Sequence, residues 1–161
     1  MVDSARDMSV AEVRRLTLLR HAQAHPARAG QHDFERPLDA AGLLQLRTAA
    51  PAFARATREH PVDRCLFSPA VRTAATAAAF TGALELPKES AVATASLYEI
   101  EPNDLLALLR DTPQDVRHLL VVGHNPGLSL VAARLSPELR SGLSPCAHVT
   151  VSFTGEWREL R

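Results

Sequence analysis

Three short apolar runs, at positions 16–20, 64–67 and 117–122, each stop on polar or sharply turning residues: Arg20 and His21, Ser68 and Pro69, Gly123 and His124. Strands covered on both faces of a sheet read as continuous apolar runs, so a charged residue at the end of one marks where the chain leaves the sheet. Helical patterns lie between these runs, and strands that alternate with helices belong to an α/β sheet whose parallel neighbours are joined by crossovers. The expected architecture is a three-layer α/β sandwich with a mostly parallel central sheet and helices on both faces.

The helical segments carry their own punctuation. Asp39 is placed to cap a helix, with Leu38 and Leu43 positioned as a hydrophobic staple and Leu43, Leu46, Ala50 and Phe53 on one face. Ser68 reads as a second cap with Pro69 at the first helical position, and Val71, Ala74, Ala75 and Ala78 form the expected packing face of that helix. A weak strand is expected within 91–98, a helix from Asp104 or Pro102 to Arg110, and a further helix with Leu128, Val131, Ala132 and Leu135 inward, capped by Asn125. The alternation at 147–153 predicts a strand, with 157–160 returning as a hairpin.

At 161 residues the chain has room for one domain with a real core, and its 46% hydrophobic and 22% charged residues are those of an ordinary globular protein. Its formal net charge of zero gives no reason to expect a nucleic-acid partner or an anionic membrane. Cys65 and Cys146 lack metal spacing and read as reduced core residues, which implies a cytoplasmic location. Residues 1–14 are expected as a flexible N-terminal extension, and 15–161 as the folded domain. The start of the chain lacks a signal-like apolar region, and no window approaches the ~20 apolar residues of a membrane span.

In a parallel sheet the junctions carrying Arg20 with His21, Arg72 and His124 fall on one edge, where open α/β sheets bind ligands. Arg72 lies in the first turn of its helix, where the macrodipole disfavours a cation by about 0.3–1 kcal/mol. A phosphate bound there reverses the sign of that penalty, since helix amides and planar guanidinium forks both match its oxygens. His21, beside arginines, is expected to stay neutral and nucleophilic near pH 7. Phosphoryl transfer to its imidazole splits hydrolysis into two displacements, with Arg20, Arg72 and His124 donating to the equatorial oxygens.

These residues resemble the signature of the histidine phosphatase superfamily, the phosphoglycerate mutase-like group. Its pattern is Arg-His-Gly at the end of the first strand, a later Ser-Pro-x-x-Arg, and a second histidine after an apolar strand. Arg20 and His21 match the first element, with Ala22 in place of glycine; Ser68, Pro69 and Arg72 match the second; Gly123 and His124 match the third. The short spacings are most similar to SixA-type phosphohistidine phosphatases, and Arg36 in its Arg-Pro-Leu context matches an arginine that reaches the phosphate there. The resemblance runs from about Leu16 to the C-terminal hairpin and implies a phosphoglycerate mutase-like fold with a histidine phosphatase domain over 15–161.

By the same resemblance a general acid is sought between Arg72 and His124. Glu99 is the choice; Asp104 is explained as a helix-dipole partner and Glu101 as a solvated loop charge. Asn125 is a candidate substrate contact. The expected enzyme is a phosphatase needing neither metal nor cofactor. Its substrate is a phosphorylated protein, reached through an open site without a long insertion, or a small phosphorylated compound. His25, His32, Asp33 and Glu35 lack metal-binding spacing, and His60, His118 and His148 are expected at the surface or at strand edges. The rival readings are a small-molecule phosphatase or mutase, and a phospho-ligand binding module without turnover.

Overall fold

The computed structural model describes residues 12–139 and 141–161. The strands are β1 (Val13–Arg20), β2 (Arg64–Phe67), β3 (Ala91–Ala93), β4 (His118–Gly123) and β5 (His148–Thr154). The helices are α1 (Ala40–Ala56), α2 (Val71–Ala83), α3 (Pro102–Arg110) and α4 (Gly127–Leu135). Every residue of β4 is buried, as its uninterrupted apolar run requires of a strand covered on both faces. It occupies the centre of one sheet with the order β3-β2-β4-β1-β5. β1 and β2 flank β4 in parallel, β3 extends the sheet in parallel, and β5 closes the other edge antiparallel to β1.

Alternation along the strands builds two cores. Leu16, Leu18, Leu66, Leu119 and Val121 face α3 and α4, while Leu19, Cys65, Leu120 and Val122 face α1 and α2. The result is the expected three-layer sandwich with helices on both faces. No helix among the described residues is long and apolar enough to cross a membrane.

The sheet begins earlier than expected. Val13 pairs with Thr154, and the buried Arg14 guanidinium donates to the carbonyls of Gly155 and, at 3.1 Å, Gln114. Residues 13 and 14 therefore belong to β1, and positions 1–11 of the proposed extension lie outside the described residues.

Two helices present faces other than those expected. In α1, Asp39 caps as anticipated, accepting from the Gly42 amide at 2.8 Å, but Leu43 is exposed and the inward stripe is Gly42, Leu46, Ala50 and Phe53. Gly42 sets this phase: a Cβ there would lie 2.0 Å from the Gln23 carbonyl oxygen, so only glycine allows the helix to seat so closely on the loop after β1.

In α2, Ser68 is not the cap; Ala70 holds that position without a side-chain bond. Arg72, Thr73, Thr76, Ala77 and Phe80 face inward, while Val71, Ala75 and Ala78 face solvent and Ala74 is half-buried. The buried threonines meet their own hydrogen-bond demand, Thr73 donating to the Ala70 carbonyl and Thr76 to that of Arg72, each at 2.8 Å.

At the C-terminus Trp157–Glu159 forms a 3-10 turn that ends at Leu160, not the return strand of a hairpin. Trp157 and Leu160 both enter the α3/α4 core. Residues three apart share a face in a 3-10 turn but point to opposite faces in a strand, so burying both selects the turn. The Trp157 indole N–H donates to the Val116 carbonyl at 2.8 Å. The weak strand expected at 91–98 shortens to β3 and then a 3-10 turn at Ala95–Leu97. His118, expected near the surface, is buried in β4, with Nδ1 on the His60 carbonyl at 2.8 Å and Nε2 on the Thr17 hydroxyl at 2.9 Å.

Candidate active site

Parallel pairing aligns the ends of three strands. Arg20 stands opposite Gly123 and Phe67 opposite Val122. The chain then leaves the sheet with His21 N–H donating to the Gly123 carbonyl at 3.1 Å and Ser68 N–H to the Val122 carbonyl at 3.2 Å. His21, Ser68 and His124 thus emerge side by side on one edge. A cavity of about 440 Å³ opens there, and Arg20, His21, Arg36, Arg72, Glu99, His124 and Asn125 all line it, together with Asp33.

His21 is almost fully buried. Its Nδ1 lies 2.7 Å from the Ala22 carbonyl oxygen; a carbonyl only accepts, so the proton sits on Nδ1 and Nε2 keeps its lone pair. The Arg72 Nε–H approaches that lone pair at 3.3 Å. The imidazole pKa is pushed down to about 4, first by burial, against the opposing pull of the Ala22 carbonyl, and then by Arg72, Arg20 and Arg36. Burial thus outweighs the neighbouring arginines that the sequence brings to mind as the cause.

His124 is oriented the other way round. Its Nδ1 accepts from Arg72 Nη2 at 3.2 Å, which leaves the proton on Nε2, facing the Ser68 hydroxyl at 2.8 Å. Burial, followed by the Arg72 charge and His21, pushes its pKa down to about 3. The two imidazole rings lie 5.3 Å apart between centroids, and Arg72 touches both.

Arg20 donates from Nη1 to the Leu143 carbonyl at 3.0 Å, and its Nε is buried without a partner among the described residues. Arg36 reaches in from the loop between β1 and α1, whose base is pinned by a bridge between Ala24 and Leu38. Its Nη1 holds the His25 carbonyl at 2.8 Å. Asn125 is not a helix cap: Pro126 holds that place without a side-chain bond. The Asn125 amide instead donates to the Leu143 carbonyl at 3.0 Å and accepts from Ser129 at 2.6 Å, fastening the segment that Arg20 also grips.

Of the acidic residues considered between Arg72 and His124, Glu99 reaches this cavity; Glu101 and Asp104 line a neighbouring one. Glu99 is exposed and sits at φ 54°, a left-handed conformation that non-glycine residues adopt infrequently. Asp104 lies in the first turn of α3, as its reading as a dipole partner requires.

Three residues of the site were not singled out for it by the sequence. Asp33 binds Arg72 and Arg36, each at 2.7 Å, and Tyr98 O–H donates to the same carboxylate at 2.9 Å. Burial alone would raise the Asp33 pKa, but hydrogen bonds from Arg72, Tyr98 and Arg36 hold it down to about 2. Ser68 meets His124 instead of capping α2. The only local signal was the spacing of Asp33 three residues before Arg36; the contacts with Arg72 and Tyr98 are long-range. Among the described residues no group of three or more His, Cys, Asp or Glu is placed to share a metal ion. Cys65 and Cys146 are free thiols, Cys65 buried and its pKa pushed up by burial to about 12.

No curated protein matches the sequence significantly. Among solved structures, a protein of Agrobacterium tumefaciens provisionally designated phosphohistidine phosphatase SixA is 27% identical, with TM-score 0.76 over 85% of this chain and 90% of that one. One of Nakamurella multipartitia with the same provisional designation is 28% identical, with TM-score 0.73 over 93% and 90%. A phosphoglycerate mutase of Bacillus anthracis shares the fold at 12% identity, with TM-score 0.63 over 89% of each chain. The family model for the histidine phosphatase superfamily (branch 1) matches residues 16–112, and the chain belongs to that superfamily, as a phosphatase of the histidine-nucleophile class.

Proposed function

We propose that the chain hydrolyses a phosphomonoester or phosphoramidate through a covalent phosphohistidine at His21, and that its physiological substrate is a protein phosphohistidine, as the SixA designation of its relatives suggests. The observation that carries this reading is the His21 tautomer: the Ala22 carbonyl holds the proton on Nδ1, so Nε2 keeps its lone pair, met by Arg72 Nε–H at 3.3 Å, in the wall of a cavity lined by guanidinium groups.

In the first displacement Nε2 attacks phosphorus, the N–P bond forms, and the bond to the leaving group breaks. Arg20, Arg36 and Arg72 neutralise the oxygens as charge spreads over them. His124 Nδ1, which accepts from Arg72 Nη2, holds the inner edge of that guanidinium towards the same oxygens. In the second displacement water attacks phosphorus and His21 Nε2 departs, releasing inorganic phosphate. Glu99 donates a proton to an alkoxide leaving group and accepts one from the attacking water. The guanidinium groups supply the positive charge, so the proposed reaction needs no metal.

Preference for a phosphorylated protein is supported by what lies between α2 and β4. That stretch contains β3, two 3-10 turns and α3. α3 packs against the sheet with Leu105, Leu106 and Leu109 in the core, so the helix is not a cover over the cavity, and the stretch reaches its wall at Glu99. An imidazole leaving group is also far less basic than an alkoxide, which suits a site whose acid, Glu99, is exposed. The reading is tested by incubating the protein with labelled phosphohistidine protein, an aryl phosphate and sugar phosphates, then quenching in base. Label trapped on the wild type, lost in His21→Ala, and fastest release from the phosphohistidine protein are expected. Full turnover by His21→Ala refutes the assigned nucleophile; a preference for a sugar phosphate refutes the assigned substrate.

A further inference from the structure

We propose that Asp33 is a positioning residue that locks Arg36 and Arg72 into a single oxyanion clamp, an inference that rests on the cavity being a phosphoryl site. The two arginines come from separate elements, a loop and α2, and their like charges oppose being brought together. Asp33 joins them through its two carboxylate oxygens: Oδ1 accepts from Arg36 Nε and Oδ2 from Arg72 Nη2, both at 2.7 Å. Its main-chain carbonyl also accepts from Arg72 Nη1 at 2.6 Å.

The geometry of the Arg72 fork separates this contact from the phosphoryl site. Asp33 holds the outer end of the guanidinium, through Nη1 and Nη2. Nε and the remaining Nη2 hydrogen point to His21 Nε2 at 3.3 Å and His124 Nδ1 at 3.2 Å. An oxyanion seated between the imidazoles thus meets the inner edge of Arg72 without displacing Asp33 from the outer end. The carboxylate is itself held: Tyr98 O–H donates to Oδ2 at 2.9 Å, and the Tyr98 ring packs edge-on against Phe34 and His124, at 5.1 and 5.4 Å between centroids. Charge-assisted bonds of this kind are roughly twice as strong as neutral ones and fix a planar fork in orientation. Asparagine keeps the shape of Asp33 but surrenders that assistance.

The test is vanadate binding by calorimetry alongside aryl-phosphate kinetics, on the wild type, Asp33→Asn, Arg36→Ala, the double variant and Tyr98→Phe. Asp33→Asn is expected to keep its Tm within a few degrees, to weaken vanadate binding about tenfold, and to raise KM in parallel. Combined with Arg36→Ala, its effect should be smaller than alone, because part of it acts through that arginine. Tyr98→Phe should weaken binding in the same direction but less. Unchanged or tighter vanadate binding by Asp33→Asn, or losses that simply multiply in the double variant, overturns the positioning role while leaving the phosphoryl site in place. A wild type that binds no vanadate overturns the site reading itself, and the clamp with it.

Discussion

Neutral, buried histidines at the mouth of a sheet tie stability to pH in a defined direction. His21 has an ordinary pKa of 6.5 in the unfolded chain and about 4 in the folded protein. Below pH 6.5 the unfolded chain takes up a proton that the folded site refuses, so stability falls as pH drops through that window and levels off only below the folded pKa. At pH 7 the effect is nearly absent. At pH 5 the difference in proton uptake corresponds to about 2 kcal/mol of lost stability from His21 alone, a sizeable share of the roughly 5–15 kcal/mol that holds a typical domain together.

The measurement is urea unfolding of the wild type and His21→Gln at pH 7 and pH 5. The variant cannot titrate at this position, so it should lose about 2 kcal/mol less than the wild type between the two conditions. Other histidines contribute to both proteins and largely cancel in the comparison. Equal losses would mean that His21 titrates as an exposed imidazole, and the argument for a neutral, buried nucleophile would fail with it.

Gly42→Ala would place a methyl carbon 2.0 Å from the Gln23 carbonyl oxygen. Overpacking of about 1–3 kcal/mol should outweigh the gain of up to ~1 kcal/mol in helix propensity, lowering Tm and raising KM because Gln23 lines the cavity; a stabilised variant would contradict the close approach. Thr17→Val leaves His118 Nε2 buried without its donor, and calorimetry should show a loss of about 1–3 kcal/mol. Adding His118→Leu should recover part of that loss, and strict additivity would show the two side chains to be uncoupled. Glu99→Gln should slow hydrolysis of an alkyl phosphate far more than of a phosphohistidine; equal slowing in steady-state assays would remove Glu99 as the acid for alkoxide departure.

Some of this molecule was legible in its sequence because burial leaves little freedom. β1, β2 and β4 are apolar runs that end in charge or a turn, and the positions just beyond them, His21, Ser68 and His124, come together at one sheet edge. Helix phase was harder. α2 is mostly alanine and threonine, so its faces differ little in apolar character and periodicity carries little contrast. Phe80 and Arg72 decide the phase, one needing the core and the other the cavity. Leu43 looked like a core residue because leucine usually is, yet the close approach at Gly42 turns it to solvent. Asp33 was out of reach for a different reason: its partners Arg72 and Tyr98 lie 39 and 65 residues away, and an aperiodic loop carries no signal of what it will dock against.

Arg72 joins these threads. A cation in the first turn of a helix without a side-chain cap opposes the macrodipole, and that opposition first pointed to an anion at this helix start. In the folded protein the Asp33 carboxylate and main-chain carbonyl already supply part of the missing negative partner, so Arg72 stays aimed while buried. Because the compensation comes at the outer end of the fork, the inner edge remains directed at the two imidazoles. The same sequence oddity therefore has two answers at once, an internal carboxylate that makes the buried arginine tolerable and, in the proposed mechanism, an inward-facing edge that meets a phosphoryl oxygen.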